Sequence, residues 1–251
     1  MNLKSKFLAA VVILSASSSA LAVPFGDGGA ALQASIDEIT SNGLGDFSVN
    51  NSVNFGTDAI AGDSYWRISA SGGSVSTVVL ELSSTPNANS FGIFDRTNID
   101  NRVELFGGSS GQGNRITLSI YDNGAVELNS SGTAAGWFGS TTFGYYLQTA
   151  SDIWYSDPTL NIDGVDHMAS YQGTDADYLT IPNPLFGSTT GVWLSNEYLL
   201  AWEESAGAGG DYTDFVVIVE SVVPVPTPGS LALMGLGLVG IGLIARRRGR
   251  A

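Results

Sequence analysis

Tyr198-Leu199-Leu200-Ala201-Trp202-Glu203-Glu204, a short Gly/Ala loop, and then Asp211-Tyr212-Thr213-Asp214-Phe215-Val216-Val217-Ile218-Val219 read as strand, acidic turn, acidic turn and strand. Neither apolar run alternates with polar residues, so both faces of each strand need cover and the pair belongs in the middle of a sheet. A hairpin of this kind gathers Glu203, Glu204, Asp211 and Asp214 at one rim. Like charges so placed raise one another's pKa unless something neutralises them. Ca²⁺ would do so, because it takes 6–8 oxygens at about 2.3–2.6 Å from carboxylates and loop carbonyls. A metal-free, solvated rim is the alternative reading.

Outward from this hairpin the chain keeps the same character. Apolar and β-branched runs are predicted as strands near residues 47–55, 65–70, 75–82, 91–94, 102–106, 116–121, 125–128, 137–147, 153–155, 167–171, 198–202 and 215–222, separated by Gly, Ser, Asn and Asp clusters. Asp122-Asn123-Gly124 between two runs predicts a tight hairpin with a primed turn. Ser90-Phe91-Gly92-Ile93-Phe94 echoes Thr142-Phe143-Gly144-Tyr145-Tyr146, over a length that chance explains nearly as well as equivalence. One helix is predicted over residues 30–42, where Leu32, Ile36 and Ile39 share a face before Gly43. Many short strands and one helix predict an all-β fold, an antiparallel β-sandwich or jelly roll, formed by a single domain over residues 23–222.

The termini differ in kind from this body. Lys4 and Lys6, an apolar run over residues 7–14 and the small-residue site Ala20-Leu21-Ala22 read as a secretory signal peptide over residues 1–22, handled by the secretion machinery. At the other end, Val223-Pro224-Val225-Pro226-Thr227-Pro228 is an extended proline linker over residues 223–228. An uncharged apolar run and then Arg246-Arg247-Arg248-Gly249-Arg250 follow, which predict a transmembrane helix with a basic cytoplasmic tail over residues 229–251. With both ends removed, four arginines (Arg67, Arg96, Arg102, Arg115) face 24 acidic residues, a balance of −20 against −14 for the whole chain. Such a surface repels phosphate backbones and argues against nucleic acid as a partner. The chain contains no cysteine, so packing, aided by metal if metal binds, must hold the fold.

The linker, apolar run and arginine cluster, with Pro226-Thr227-Pro228 and Arg246-Arg247-Arg248 at their places, resemble the PEP-CTERM sorting signal of exported bacterial proteins. Thr227 stands where that family carries Glu. The resemblance implies export, recognition by an exosortase-type processing enzyme, anchoring in the inner membrane before processing, and then a place at the cell surface or outside it. An unprocessed C-terminal anchor is the other reading of the same residues. The body resembles an uncharacterised family of exported β-rich domains that ends in aromatic-Glu-Asp, a glycine-rich loop and Asp-x-Asp-Tyr-x-Asp-(Phe/Leu/Met)-Val-Val. The matching residues are Trp202-Glu203-Glu204 and Asp211-Tyr212-Thr213-Asp214-Phe215-Val216-Val217, with Glu204 in place of Asp and Gly209 where an earlier Asp would stand. That resemblance implies an extracellular module and no reaction.

Other chemistry is sparse. Asp157, Asn161, Asp163 and Asp166 have the rhythm of a calcium loop, but Thr159 and Ser170 stand where an EF-hand needs acids, so a plain turn is favoured. His167 is the one histidine; without a Gly-x-Ser-x-Gly elbow or a cysteine it reads as a structural residue. Among the aromatics, Trp154-Tyr155 in a polar stretch is the pair expected at the surface, a weak carbohydrate-binding candidate. The function expected is a non-enzymatic surface protein with a structural, matrix or adhesive role, with Ca²⁺ as its candidate stabilising cofactor. The alternatives are a carbohydrate-binding module of the extracellular matrix, with exopolysaccharide as partner, and, below that, a glycoside hydrolase.

Overall fold

The computed structural model describes residues 23–41, 51–69, 74–81, 89–183, 187–207 and 209–226. The signal peptide with Ala20 and Ala22, the helix stop at Gly43, the first part of the strand expected at 47–55, and Thr227, Pro228, the apolar run and Arg246, Arg247 and Arg248 lie outside the described residues. Among the described residues no helix is long and apolar enough to cross a membrane.

Almost all regular structure is antiparallel β. Helix α1 (Ala30–Asp37) comes first, then β1 (Thr40–Ser41), β2 (Trp66–Ile68), β3 (Ser74–Glu81), β4 (Ser90–Asp95), β5 (Asn98–Phe106) and β6 (Arg115–Ile120). They are followed by β7 (Ala125–Leu128), β8 (Ala134–Trp137), β9 (Thr142–Gln148), β10 (Ile153–Tyr155) and β11 (Met168–Gln172). The last five are β12 (Tyr178–Asn183), β13 (Gly187–Val192), β14 (Glu197–Trp202), β15 (Phe215–Glu220) and β16 (Val222–Pro224). A seven-stranded sheet runs β11-β14-β15-β3-β6-β7-β8, a six-stranded one β16-β2-β9-β4-β5 with β10 beside β9, and a small one β1-β12-β13.

The two large sheets face each other as a sandwich. Across the gap Trp66 meets Tyr198 with ring centroids 5.0 Å apart, and Phe91 meets Phe215 at 5.4 Å. From β14 and β15 the inward set is Tyr198, Leu200, Trp202, Phe215, Val217 and Val219. The residues between them, Leu199, Ala201, Val216 and Ile218, join a second core with Leu32 and Ile36 of α1, Phe55, Leu179, Trp193 and Tyr212. The missing alternation in the opening hairpin therefore reflects cover on both faces, by the second sheet on one side and by α1 and its neighbours on the other.

The echoed segments are neighbouring strands. Gly92 stands opposite Tyr146, and Phe94 opposite Gly144. A Cβ on Gly92 would collide with the Tyr146 ring, and one on Gly144 with the Phe94 ring, so each glycine makes room for the aromatic across from it.

Several expectations are corrected. Residues 51–55 form a loop, because Asn51 donates to Asp37 and to the Thr40 hydroxyl, both at 2.7 Å, and so fastens the segment to α1 and β1 instead of a strand ladder. The run 137–147 is two strands in two sheets, β8 and β9. Asp95 Oδ2 accepts from Gly139 N, and Asp95 Oδ1 accepts from Thr97, which pins the crossing. The run 215–222 also changes sheet, at Ser221, whose φ of 61° ends β15 and starts β16. At Asp122-Asn123-Gly124 the hairpin forms, with Ile120 opposite Val126, but only Gly124 has positive φ, at 89°. The turn is therefore not primed: Gly124 N donates to Tyr121 O at 2.8 Å and a left-handed glycine closes the loop, the three-residue form. The strands β12 and β13 lie in a stretch where no strand is predicted, and β12 contains Pro182. Pro182 lies beyond the two residues at which β1 pairs, where β12 has a partner on one side only and a residue without an N–H is tolerated.

Candidate functional site

The acidic rim is where β11, β14 and β15 all reach one edge, with Met168 opposite Trp202 and Trp202 opposite Phe215. Oxygens of Glu203, Asp211 and Asp214 lie within 4.8 Å of one another. Glu203 is buried; its Oε1 accepts from Ser205 N at 2.8 Å and its Oε2 from Asp211 N at 3.0 Å. Asp211 Oδ1 accepts from the Thr213 hydroxyl at 2.7 Å, and Asp214 Oδ2 from Glu204 N at 2.8 Å. Glu204 departs from the expected set. Its carboxylate accepts from Asn89 Nδ2 at 2.9 Å, because successive residues leaving a strand point to opposite sides.

Local backbone shape makes this cluster. Gly210 lies against the Glu203 carboxylate so closely that a Cβ there would overlap it. Gly209 has φ of 105° and sits beside Gly26, with Gly26 N donating to Gly210 O at 3.0 Å and Gly209 N to Pro24 O at 2.9 Å. An aspartate at 209 would meet that conformation badly, which accounts for the glycine found there. Tyr212 adopts φ of 57°, rare for an aromatic residue, and is held by its hydroxyl bond to Asp166 O and by the Phe25 ring at 4.7 Å.

The charges at the rim are not independent. Burial first, and then the charge of Glu203 and a hydrogen bond to its carboxylate, push Asp214 up to about 7 against the pull of the Glu204 N–H. Either a proton or a cation can relieve this repulsion. Two oxygens on one Ca²⁺ stand no more than about 5.2 Å apart, twice the longest usual bond, and the 4.8 Å spread meets that limit.

The second acidic set does not converge in this way. Asp157 caps a single 3₁₀ turn (Pro158–Leu160), accepting from Thr159 N at 3.0 Å, and its Oδ2 takes the Tyr65 hydroxyl at 2.8 Å. Asn161 bridges Tyr155 N at 2.7 Å and Val165 O at 2.8 Å. Asp163 accepts from Val165 N, Gly207 N and His167 Nε2. Burial would raise its pKa, but those backbone donors and the imidazole hold it below the usual range. Asp166 accepts from Met168 N at 3.2 Å, and burial pushes it up to about 6. Among the described residues, the group of three acidic or histidine ligands within metal reach is Glu203, Asp211 and Asp214.

His167 is buried between Asp163, at 3.0 Å from Nε2, and the Glu203 carbonyl, at 3.0 Å from Nδ1. Trp154 stacks on its ring at 3.8 Å and donates from Nε1 to Glu204 O at 2.8 Å. Trp154 is thus 0% exposed, which corrects the expectation of a surface pair, and Tyr155 packs edge-on against Phe94. A single tryptophan inside a polar stretch looks exposed in sequence; here the polar neighbours are its hydrogen-bonding wall. Asn89 and Gly210 were missed as parts of the rim, and neither carries a sequence signal.

The last described strand leads straight into the C-terminal segment. β16 pairs with β2, Pro224 opposite Trp66, and Val225 N donates to Tyr65 O at 2.7 Å. No curated protein matches the chain. Residues 224–248 match the PEP-CTERM protein-sorting motif, the mark of an exported, surface-sorted protein processed by exosortase-type machinery, and that motif is carried here by a β-rich, antiparallel domain.

Proposed function

We propose that the protein is a non-catalytic module of the cell envelope with a structural, matrix or adhesive role, stabilised by a divalent cation, Ca²⁺ by its chemistry, at Glu203, Asp211 and Asp214. The observation that carries this reading is the junction of domain and sorting motif. The motif begins at residue 224, inside β16, so the first residue of the sorting segment is itself part of the sheet. β16 lies antiparallel along β2, and a pull along the tail loads their hydrogen bonds side by side, in shear. His167, the chain's sole histidine, is fixed by three neighbours and serves to join β11 to the rim.

Fractionation of cells expressing the full chain, or the chain cut after Val223, tests the role. The full chain is expected with the envelope and the shortened one in the medium, with a loss of cell-to-surface attachment in the second strain. Equal distribution of the two, or unchanged attachment, would remove the tethered-module reading.

A further inference from the structure

The outer face of the seven-stranded sheet is bare at the β6-β7-β8 end, and two aromatic residues stand on it. Leu118 and Val126 point into the core, so Ser119, Tyr121, Ala125 and Glu127 point outward. Tyr121 N donates to Ala125 O at 3.0 Å, and Ala125 stands opposite Trp137. Tyr121, Ala125 and Trp137 therefore form one row across three strands, with the backbones that carry the two rings about 10 Å apart, two strand spacings, and a methyl group as the floor between them. Trp137 is 61% exposed and Tyr121 48%.

The row is built rather than incidental. The Tyr121 hydroxyl donates to Glu127 Oε2 at 2.8 Å, while Glu127 Oε1 accepts from Gly132 N, so the ring is held in place before any ligand arrives. β8 is fixed by Phe138 N, which donates to Gly124 O at 2.8 Å, and Gly124 is closed to a side chain because a Cβ would collide with Phe138 O.

We infer that this row is a stacking platform for a neutral polysaccharide. Indole and phenol faces are apolar with polar tips, matching the C–H face of a pyranose ring and its rim of hydroxyls. Charge selects among occupants. Asp122 and Glu127 flank the row, and residues 116–245 contain no Lys or Arg, so an anionic polymer is repelled. A second copy of this chain would bring the same −20 balance to the face, and two rings around one methyl are far smaller than the roughly 800 Å² per partner of a standard interface. The inference rests on the proposed adhesive role and names its partner.

The test is affinity electrophoresis of the full chain in mild detergent through gels holding a β-1,4-glucan, a β-1,3-glucan or a galactomannan, with alginate as the anionic control. Retardation is expected in at least one neutral gel and not in alginate. Trp137→Ala and Tyr121→Ala should each weaken it about tenfold or more, while Tyr121→Phe, which keeps the ring, should retain most of it. Circular dichroism melts show whether the variants are folded. No retardation in any neutral gel, retardation unchanged in the Trp137→Ala/Tyr121→Ala double variant, or a dimer that this double variant dissolves would each overturn the platform. The envelope-attachment assay is read separately, so loss of the platform leaves the tethered-module reading standing, and the reverse.

Discussion

The two halves of the seven-stranded sheet share one hydrogen-bond ladder and one inner core, yet their outer faces differ completely. At β14 and β15 the outer face carries Leu199, Ala201, Val216 and Ile218 and is covered by α1, Trp193 and the loop around Phe55. At β6 and β7 it carries Thr117, Ser119, Ala125 and Glu127, which are half-buried, with Tyr121 and, on β8, Trp137 exposed beside them. Cover thus determines which strands lose their alternation, while the bare half keeps the period-2 pattern of a sheet with one wet face. The same contrast separates two uses of aromatic residues: Trp154 is buried to wall in His167, and Trp137 is left outside.

This contrast can be broken most sharply by truncating its covered side. Leu199→Ala is expected to cost about 2–5 kcal/mol in chemical denaturation, since a fully buried leucine loses contacts that α1 and the β-strands cannot collapse to replace. Ser119→Ala on the bare side should stay within about 0.5 kcal/mol. An equal cost at both positions would mean that the outer layer adds little.

The next effect belongs to the rim below the covered half. Gly210→Ala forces a Cβ into the Glu203 carboxylate, and a loss of about 1–3 kcal/mol is expected, together with any Ca²⁺ response.

Proton and cation compete for the same carboxylates, which sets a pH dependence. In folded protein Asp214 and Asp166 keep their protons to about 7 and about 6, above the ordinary carboxylate value of about 3.9. Between roughly pH 4 and pH 7 the folded state therefore binds more protons than the unfolded state, and stability falls as pH rises through that window. In chelator the melting temperature should drop across it. Millimolar Ca²⁺ should restore it at pH 8 more than at pH 5.5, and Asp214→Asn should flatten the Ca²⁺ response and reduce the pH response to the part that Asp166 supplies. A melting temperature unmoved by Ca²⁺ at pH 8 would leave the proton as the sole neutraliser.

The smallest expected effect on stability is on the bare half. Trp137→Ala should shift the free energy of unfolding by no more than about 0.5 kcal/mol while weakening the retardation as described above. A large destabilisation would show that the indole is a packing residue after all.

Local chemistry made much of this legible in advance. The β14-β15 pair, the Asp122-Asn123-Gly124 hairpin and the gathering of Glu203, Asp211 and Asp214 follow from apolar runs and turn residues within a short stretch. Sheet changes were not legible. Trp137 to Leu147 and Phe215 to Val222 are each one apolar run, and a run of burial reads the same whether its strand stays in one sheet or crosses to the facing one. Gly139 and Ser221, where the crossings occur, are turn-type residues, but each stands inside a run that is apolar on both sides of it.

By itself the sequence determined the β-rich class, the acidic body and the tail that sorts the protein, because strand propensity, net charge and a contiguous motif are properties of neighbours along the chain. Only the tertiary structure decided that Glu204 turns away from the other rim carboxylates, which tryptophan faces water and which side of the sheet α1 closes. Those depend on strands brought together from distant parts of the chain, where partners such as Asn89 and Glu204, or Trp66 and Tyr198, share no local pattern.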